Sequence, residues 1–154
     1  MEKELNKPLK YLSHGIVCQE VPDEVSLVIN INGCPYKCKG CHSDYLWEYK
    51  GNYISNDIDK IINEYKDLFS CICFMGGNQN PNEMIKLLSH IKALGYKTCL
   101  YSGCINFDEL KVFLPYLDWL KYGSYDETKK ASNIQYGVKL ATTNQHLLKK
   151  GIDF

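Results

Sequence analysis

Residues 25–47, "VSLVININGCPYKCKGCHSDYLW", run from one kind of sequence into another. The first seven form an apolar run rich in β-branched residues, as in a mostly buried strand. Asn32-Gly33 breaks that run with a turn. Cys34, Cys38 and Cys41 then follow at C-x3-C-x2-C spacing. A strand that delivers three thiols to one loop sets the reading of everything around it.

Further apolar runs extend the pattern. Ile58, Ile61, Ile62, Tyr65 and Leu68 recur at helical spacing, with Ser55 or Asn56 placed to cap the start. "CICFM" (71–75) is a second buried strand, ended by Gly76-Gly77. A helix follows, with Asn80 as N-cap, Pro81 in its first turn, an inner face of Met84, Leu87, Leu88 and Ile91, and Gly95 at its close. "KTCLY" (97–101) is a third strand and Ser102-Gly103 its exit. Asn106 caps a third helix carrying Phe107, Leu110, Phe113 and Leu114. "DWLKY" (118–122) is a fourth strand, leaving through Gly123-Ser124. Strand and helix in alternation predict a parallel sheet with crossover helices. Ligands of such sheets bind at the carboxyl ends of the strands, and all four predicted exits carry unusual residues. A complete eight-fold barrel takes about 250 residues, with about 200 near the floor. A chain of 154 residues has room for part of a barrel or a small open sheet, in one domain spanning 1–154.

Composition narrows the chemistry. Lys and Arg number 18, Asp and Glu also 18, so no basic excess points to nucleic acid. No segment approaches the roughly 20 apolar residues of a membrane helix, and the N-terminus lacks the apolar stretch of a signal peptide. The expectation is a cytoplasmic protein with no membrane partner. Eight cysteines in such a protein point to metal or catalytic use rather than disulfides.

Four readings of the cysteine loop compete. Unrelated buried thiols suit Cys71, Cys73 and Cys99, which lie inside apolar strands, but not three thiols on one Gly/Pro/Lys-containing loop. Structural zinc wants four ligands, commonly as two close pairs; Cys104 or His42 would have to complete the set, and His42 adjoins Cys41. "CKGCH" (38–42) matches the c-type haem pattern, which expects export and leaves Cys34 over. An iron–sulfur cluster accounts for the missing ligand. Three cysteines hold three irons of a 4Fe–4S cube and leave the fourth open, and an open metal position is where substrate binds.

With those residues in place, the chain resembles the radical S-adenosylmethionine (SAM) superfamily. The shared features are C-x3-C-x2-C after the first strand of a parallel α/β sheet and the glycine pair one βα unit later. Within it, "VCQEVPDEVSLVINING" (17–33), "CPYKCKGCHS" (34–43), "FMGG" (74–77), "YSG" (101–103) and "TTNQHLL" (142–148) are most similar to the small activating proteins of anaerobic ribonucleoside-triphosphate reductases. The resemblance implies a partial, incomplete parallel β/α barrel and one 4Fe–4S cluster on Cys34, Cys38 and Cys41. It implies SAM chelated at the open iron and cleaved reductively to a 5′-deoxyadenosyl radical, which makes a glycyl radical on a large reductase subunit. An external one-electron donor such as flavodoxin or ferredoxin would supply the cluster. Activators of pyruvate formate-lyase share the loop, and a non-catalytic zinc or electron-transfer iron–sulfur module is the alternative from another class.

The resemblance also implies roles at single positions. Gly76 and Gly77 would receive the SAM amino group on their backbone, next to Asn78, where relatives usually carry Asp or Glu. "VPDEVSL" lacks the glycine and arginine many relatives have there. Gly40 is either a close approach to adenine or a turn glycine. His42 and Ser43 either line the adenosine pocket or lie on the surface. Ser102 either contacts SAM or serves a turn, and Trp47 is either a wall of the site or core. Lys121 and Asp118 read as solvated charges, and "TTNQ" (142–145) has no assigned role.

The cysteines divide into two groups with separable behaviour. Replacing any one of Cys34, Cys38 or Cys41 by Ala should abolish the brown cluster absorbance and all SAM cleavage, whereas Cys71→Ala, Cys73→Ala or Cys99→Ala should at most loosen the core. Loss of the cluster in Cys104→Ala would mean that the fourth iron had a protein ligand.

Overall fold

Short apolar runs with β-branched residues become the centre of the structure. The computed structural model describes residues 7–34 and 47–154. In chain order its elements are β1 (Lys10–Val17), β2 (Ser26–Ile31), β3 (Asn52–Tyr53), α1 (Ile54–Glu64), β4 (Cys71–Met75), α2 (Pro81–Ala93) and β5 (Lys97–Ser102). They continue with α3 (Phe107–Leu110), extended by a 3-10 segment (Lys111–Tyr116), then β6 (Trp119–Tyr122), β7 (Lys130–Gln135), β8 (Val138–Thr142) and β9 (His146–Lys149). Among the described residues no helix is long and apolar enough to cross a membrane.

Seven strands form one sheet in the order β3-β1-β2-β4-β5-β6-β9, and β7 and β8 form a separate hairpin. The four strands expected from the sequence are its centre, mutually parallel and in chain order. Antiparallel strands flank them: β1 beside β2 and β9 beside β6. The period-2 geometry of strands sorts their side chains onto two faces. Leu27, Ile29, Ile72, Phe74, Leu100 and Leu120 pack with Ile58, Ile61, Met84, Leu88 and Ile91 of the helices. Val28, Cys71, Cys73, Cys99 and Trp119 meet Val21, Val138, Leu140 and Leu147 on the other face. Each face is buried under a different kind of cover, helices on one and the hairpin with the Val21 loop on the other.

Two helix ends follow the sequence and one does not. Asn80 caps α2, its side chain accepting from the Glu83 N–H at 3.3 Å, with Pro81 in the first turn. Asn106 caps α3 by accepting from the Asp108 N–H. By contrast α1 begins before Ser55 and Asn56, with Tyr53 in the cap position and no side-chain cap bond. The reason is tertiary: the Ile54 N–H donates to the Leu9 carbonyl at 3.1 Å, so one of the first-turn donors is satisfied by the approach to β1. The Ser55 hydroxyl donates instead to Glu83, whose other oxygen accepts the Leu9 N–H at 2.9 Å. The helix also stops earlier than its periodicity suggests. Asp67 adopts φ 69° and Leu68 lies beyond the helix, 60% exposed.

Asp118 proves to be a structural carboxylate rather than a solvated charge. It accepts from the Lys92 ammonium and the Thr98 N–H, each at 2.9 Å. Burial by itself would raise its carboxyl, but these partners outweigh burial and hold it below its ordinary value. A carboxyl held down in the fold contributes stability that is whole above its unfolded pKa, about 3.9, and is lost as pH falls through the folded value. Asp118→Asn should cost about 1–2 kcal/mol at neutral pH, with the deficit shrinking below about pH 4. Urea denaturation of both proteins from pH 7 to pH 3 checks this, and a deficit independent of pH would contradict it.

Candidate metal centre

Parallel pairing brings the exits of β2, β4, β5 and β6 to the same edge of the sheet, and polar contacts tie them together there. At the β2 exit, Gly33 takes φ +81° and its N–H donates to the Glu48 carbonyl at 3.1 Å. That bond closes the neck of the cysteine loop, and Cys34, half-buried, is the first residue past it. Cys38, Gly40, Cys41, His42 and Ser43 lie outside the described residues.

At the β4 exit the glycine pair is a conformational requirement, with φ of +90° at Gly76 and +111° at Gly77, a region other residues enter only at a cost. Both N–H groups are committed: Gly76 to the Tyr101 carbonyl at 2.8 Å and Gly77 to Gln79 Oε1 at 3.0 Å. The Gly77 carbonyl also accepts the Asn80 N–H at 3.3 Å, so what the pair can offer a cationic ligand is the remaining lone pairs of its carbonyl oxygens. Gln79 also donates through Nε2 to the Asn32 carbonyl at 3.2 Å. One amide thus joins the glycine pair to the neck of the cysteine loop.

Asn78 and Ser102 meet across β4 and β5. The Ser102 hydroxyl donates to Asn78 Oδ1 at 2.9 Å and accepts the Cys104 N–H at 3.0 Å. Ser102 is buried, so the link forms the floor between two exits and leaves the hydroxyl one lone pair. Cys104 turns its thiol to Glu109 Oε2 at 3.3 Å and to the Asn106 carbonyl at 3.4 Å, engaged with the α3 segment. Among the described residues, no group of three or more His, Cys, Asp or Glu side chains could hold a metal ion.

"TTNQ" (142–145) acquires a structural role. It turns the chain between β8 and β9 and docks on the β6 exit. Gln145 is 5% exposed; its Oε1 accepts from the Ala141 and Thr142 N–H groups, and its Nε2 donates to the Gly123 carbonyl. Asn144 donates to the Ser124 carbonyl at 2.8 Å. No local pattern marks Gly123 and Ser124 as partners, at separations of 22 and 20 residues.

The thiols of Cys71, Cys73 and Cys99 are fully buried. Burial pushes Cys71 and Cys99 upward, and the neighbouring Cys73 adds to both shifts. Metal ligation needs thiolate, which burial disfavours at Cys71 and Cys99, and Cys73 packs with them in the same buried cluster. Lys121 places its ammonium 4.8 Å from the Tyr101 ring centroid, while the Tyr101 hydroxyl donates to the Glu20 carbonyl. Sequence reasoning passed over Asn32 and Gln79. Asn32 is 1% exposed, yet neither side-chain polar atom has a partner, and the buried indole nitrogen of Trp47 has none either. Each such group costs on the order of 1–3 kcal/mol. Asn32 directly ends an apolar strand at the loop neck, which is the only local sign of its importance.

A family model described as a 4Fe-4S single cluster domain matches residues 23–147. No curated protein and no solved structure gives a match.

The glycines at the exits differ in what they tolerate. A Cβ on Gly123 (φ +114°) would lie 2.7 Å from the Asn144 carbonyl oxygen and 3.0 Å from the Gln145 Cα, both backbone. At Gly76 the nearest atom is the Ile31 carbonyl oxygen at 3.5 Å, an ordinary contact. Gly76→Ala should therefore cost only the positive-φ penalty, about 1–2 kcal/mol, and Gly123→Ala at least about 2–3 kcal/mol through strain and clash together. Denaturant midpoints rank the two, and equal costs would contradict the docking of "TTNQ" on Gly123.

Proposed function

The chain belongs to the 4Fe-4S single cluster domain family, and from that premise we propose that it is a radical SAM activase. Its cluster would be held by Cys34, Cys38 and Cys41, and its substrate would be a glycine on a large partner reductase. The observation that carries this reading is the hydrogen-bonded junction of Cys34's loop neck with Gly76-Gly77, made through Gln79. A thiol-bearing loop and a glycine turn at adjacent parallel strand exits suit a cluster with a chelating amino acid ligand.

The residues present fit the group. Cys34 offers a thiol at the strand exit, and two N–H-bearing side chains beside its loop lack any acceptor, while thiolate and sulfide sulfurs are acceptors. When bound, the cluster supplies the electron that breaks the sulfonium of SAM into methionine and a 5′-deoxyadenosyl radical. The chain's own part is to bind and orient. Three cysteines serve four irons and leave one for the amino and carboxylate groups of SAM. A remaining carbonyl lone pair of the glycine pair would receive its ammonium, and Asn78 with Ser102 would make the polar floor beside it.

The fold supports a macromolecular substrate. Four consecutive parallel strands, with the described crossover helices packed on one face, are compatible with a partial β/α barrel. The described sheet ends at β3 and β9 without closing. A primary radical must be shielded from water, so an open flank suits a partner protein that supplies the missing wall. The reacting atom is then a glycine α-carbon, where flanking peptide groups stabilise the radical. On the resemblance of its segments the proposed partner is an anaerobic ribonucleotide reductase, with a pyruvate formate-lyase as the alternative and a flavodoxin or ferredoxin as the proposed electron donor.

Anaerobic reconstitution should give about 4 Fe per chain and a reduced EPR spectrum that changes on adding SAM. With the matching reductase, 5′-deoxyadenosine should form together with a glycyl doublet on the larger chain. A spectrum indifferent to SAM would make the protein an electron carrier, and tightly coupled turnover of a small metabolite without a partner would sink the activase reading.

A further inference from the structure

Two unpaired polar side chains at the neck of the cysteine segment are left unexplained by binding SAM. Asn32 has both backbone groups satisfied, its N–H donating to the Lys10 carbonyl at 2.8 Å and its carbonyl accepting from Gln79. Its side-chain amide is buried and unpaired at both Nδ2 and Oδ1. Trp47, at the other end of the cysteine segment, buries an unpaired Nε1. These two positions are close to one neck. Gly33 N–H donates to the Glu48 carbonyl, and a Cβ on Gly33 would touch the Tyr49 ring at 3.3 Å. Two unmatched N–H-bearing side chains therefore bracket the segment that begins at Cys34.

Buried polar groups almost always find partners. An acceptor is what both donors lack, and the sulfurs of an iron–sulfur cluster are acceptors. We propose that the Asn32 amide and the Trp47 indole N–H are hydrogen-bond donors to the sulfur atoms of the cluster whose first ligand is Cys34. The assignment covers the two donors; Asn32 Oδ1 needs a donor, which sulfur does not provide. Hydrogen bonds to cluster sulfurs are among the determinants of reduction potential. Reduction adds negative charge to the cluster, and N–H dipoles aimed at it stabilise the more negative state. The two side chains thus raise the potential, easing the transfer of one electron from an outside donor.

The inference rests on the cluster being held at Cys34, and its test separates the two. Wild-type protein, Asn32→Leu and Trp47→Phe are reconstituted anaerobically. Iron is counted per chain, and each is titrated potentiometrically with the reduced cluster followed by EPR. Leu keeps the branching of Asn without its amide, and Phe keeps an aromatic ring without the N–H. Both variants should hold wild-type iron. In Asn32→Leu the one-electron equilibrium should move about tenfold against the reduced form, equal to about 59 mV, with a smaller shift of the same sign in Trp47→Phe. Unmoved or raised potentials in both variants overturn the assignment. If Asn32→Leu does not fold or holds no iron, Trp47→Phe alone decides. A wild-type protein that binds no iron removes the cluster itself, a result distinct from an intact cluster with unmoved variants.

Discussion

Parallel pairing of four consecutive strands is the constraint on which the rest depends. Each helix or helical segment must carry the chain back to the start of the next strand, so every exit falls on the same edge. Residues far apart in sequence, Cys34, Gly76, Ser102 and Gly123, are collected there by backbone geometry alone. The helices take one face of the sheet, and the other needs a separate cover. Val21, Val138 and Leu140 supply it, packing against Cys71, Cys73, Cys99 and Trp119. The three small buried thiols are thus best understood as the core beneath the hairpin.

The exit edge is held by side-chain amides and hydroxyls more than by ion pairs. Gln79 joins the glycine pair to the loop neck, Ser102 joins Asn78 to Cys104, and Gln145 holds the last turn to Gly123. Neutral groups of this kind shape an edge without placing fixed charge beside it. That suits a site whose expected occupants, an iron–sulfur cluster and a sulfonium ligand, bring their own charges. Asn78 in place of the more usual acid belongs with this pattern, since its oxygen serves Ser102. The proposed sulfur donors Asn32 and Trp47 are likewise neutral.

Legibility from the sequence varied with how local each cause was. The four parallel strands, α2 with its Asn80-Pro81 start and the Asn106 cap follow from patterns a few residues long, and the structure has them where those patterns lie. The start of α1 was misplaced because its first-turn donor is satisfied by Leu9, 45 residues earlier. Strand β1 was not read at all. Its residues, "KYLSHGIV", are mostly half-buried or exposed, because β3 pairs with only Lys10 and Tyr11 and leaves the rest of that side of β1 without a neighbouring strand in the described sheet, so the hydrophobic period is weak. The final strand and the hairpin are short and mixed in polarity for the same reason.

For the site, the sequence by itself determined which candidate groups are present: three cysteines at one spacing, a glycine pair one unit later, and small polar residues at each exit. Thiol number and spacing are properties of a contiguous segment, and no packing is needed to state them. Only the tertiary structure decided that Gln79 reaches Asn32, that Cys104 is spent on Glu109, that "TTNQ" closes on Gly123, and that Asn32 is buried without a partner. Each of these is a hydrogen bond, or a missing one, between groups whose closeness exists only once the strands have paired. Donors and acceptors are visible in a sequence, but whether they are satisfied is a property of the fold.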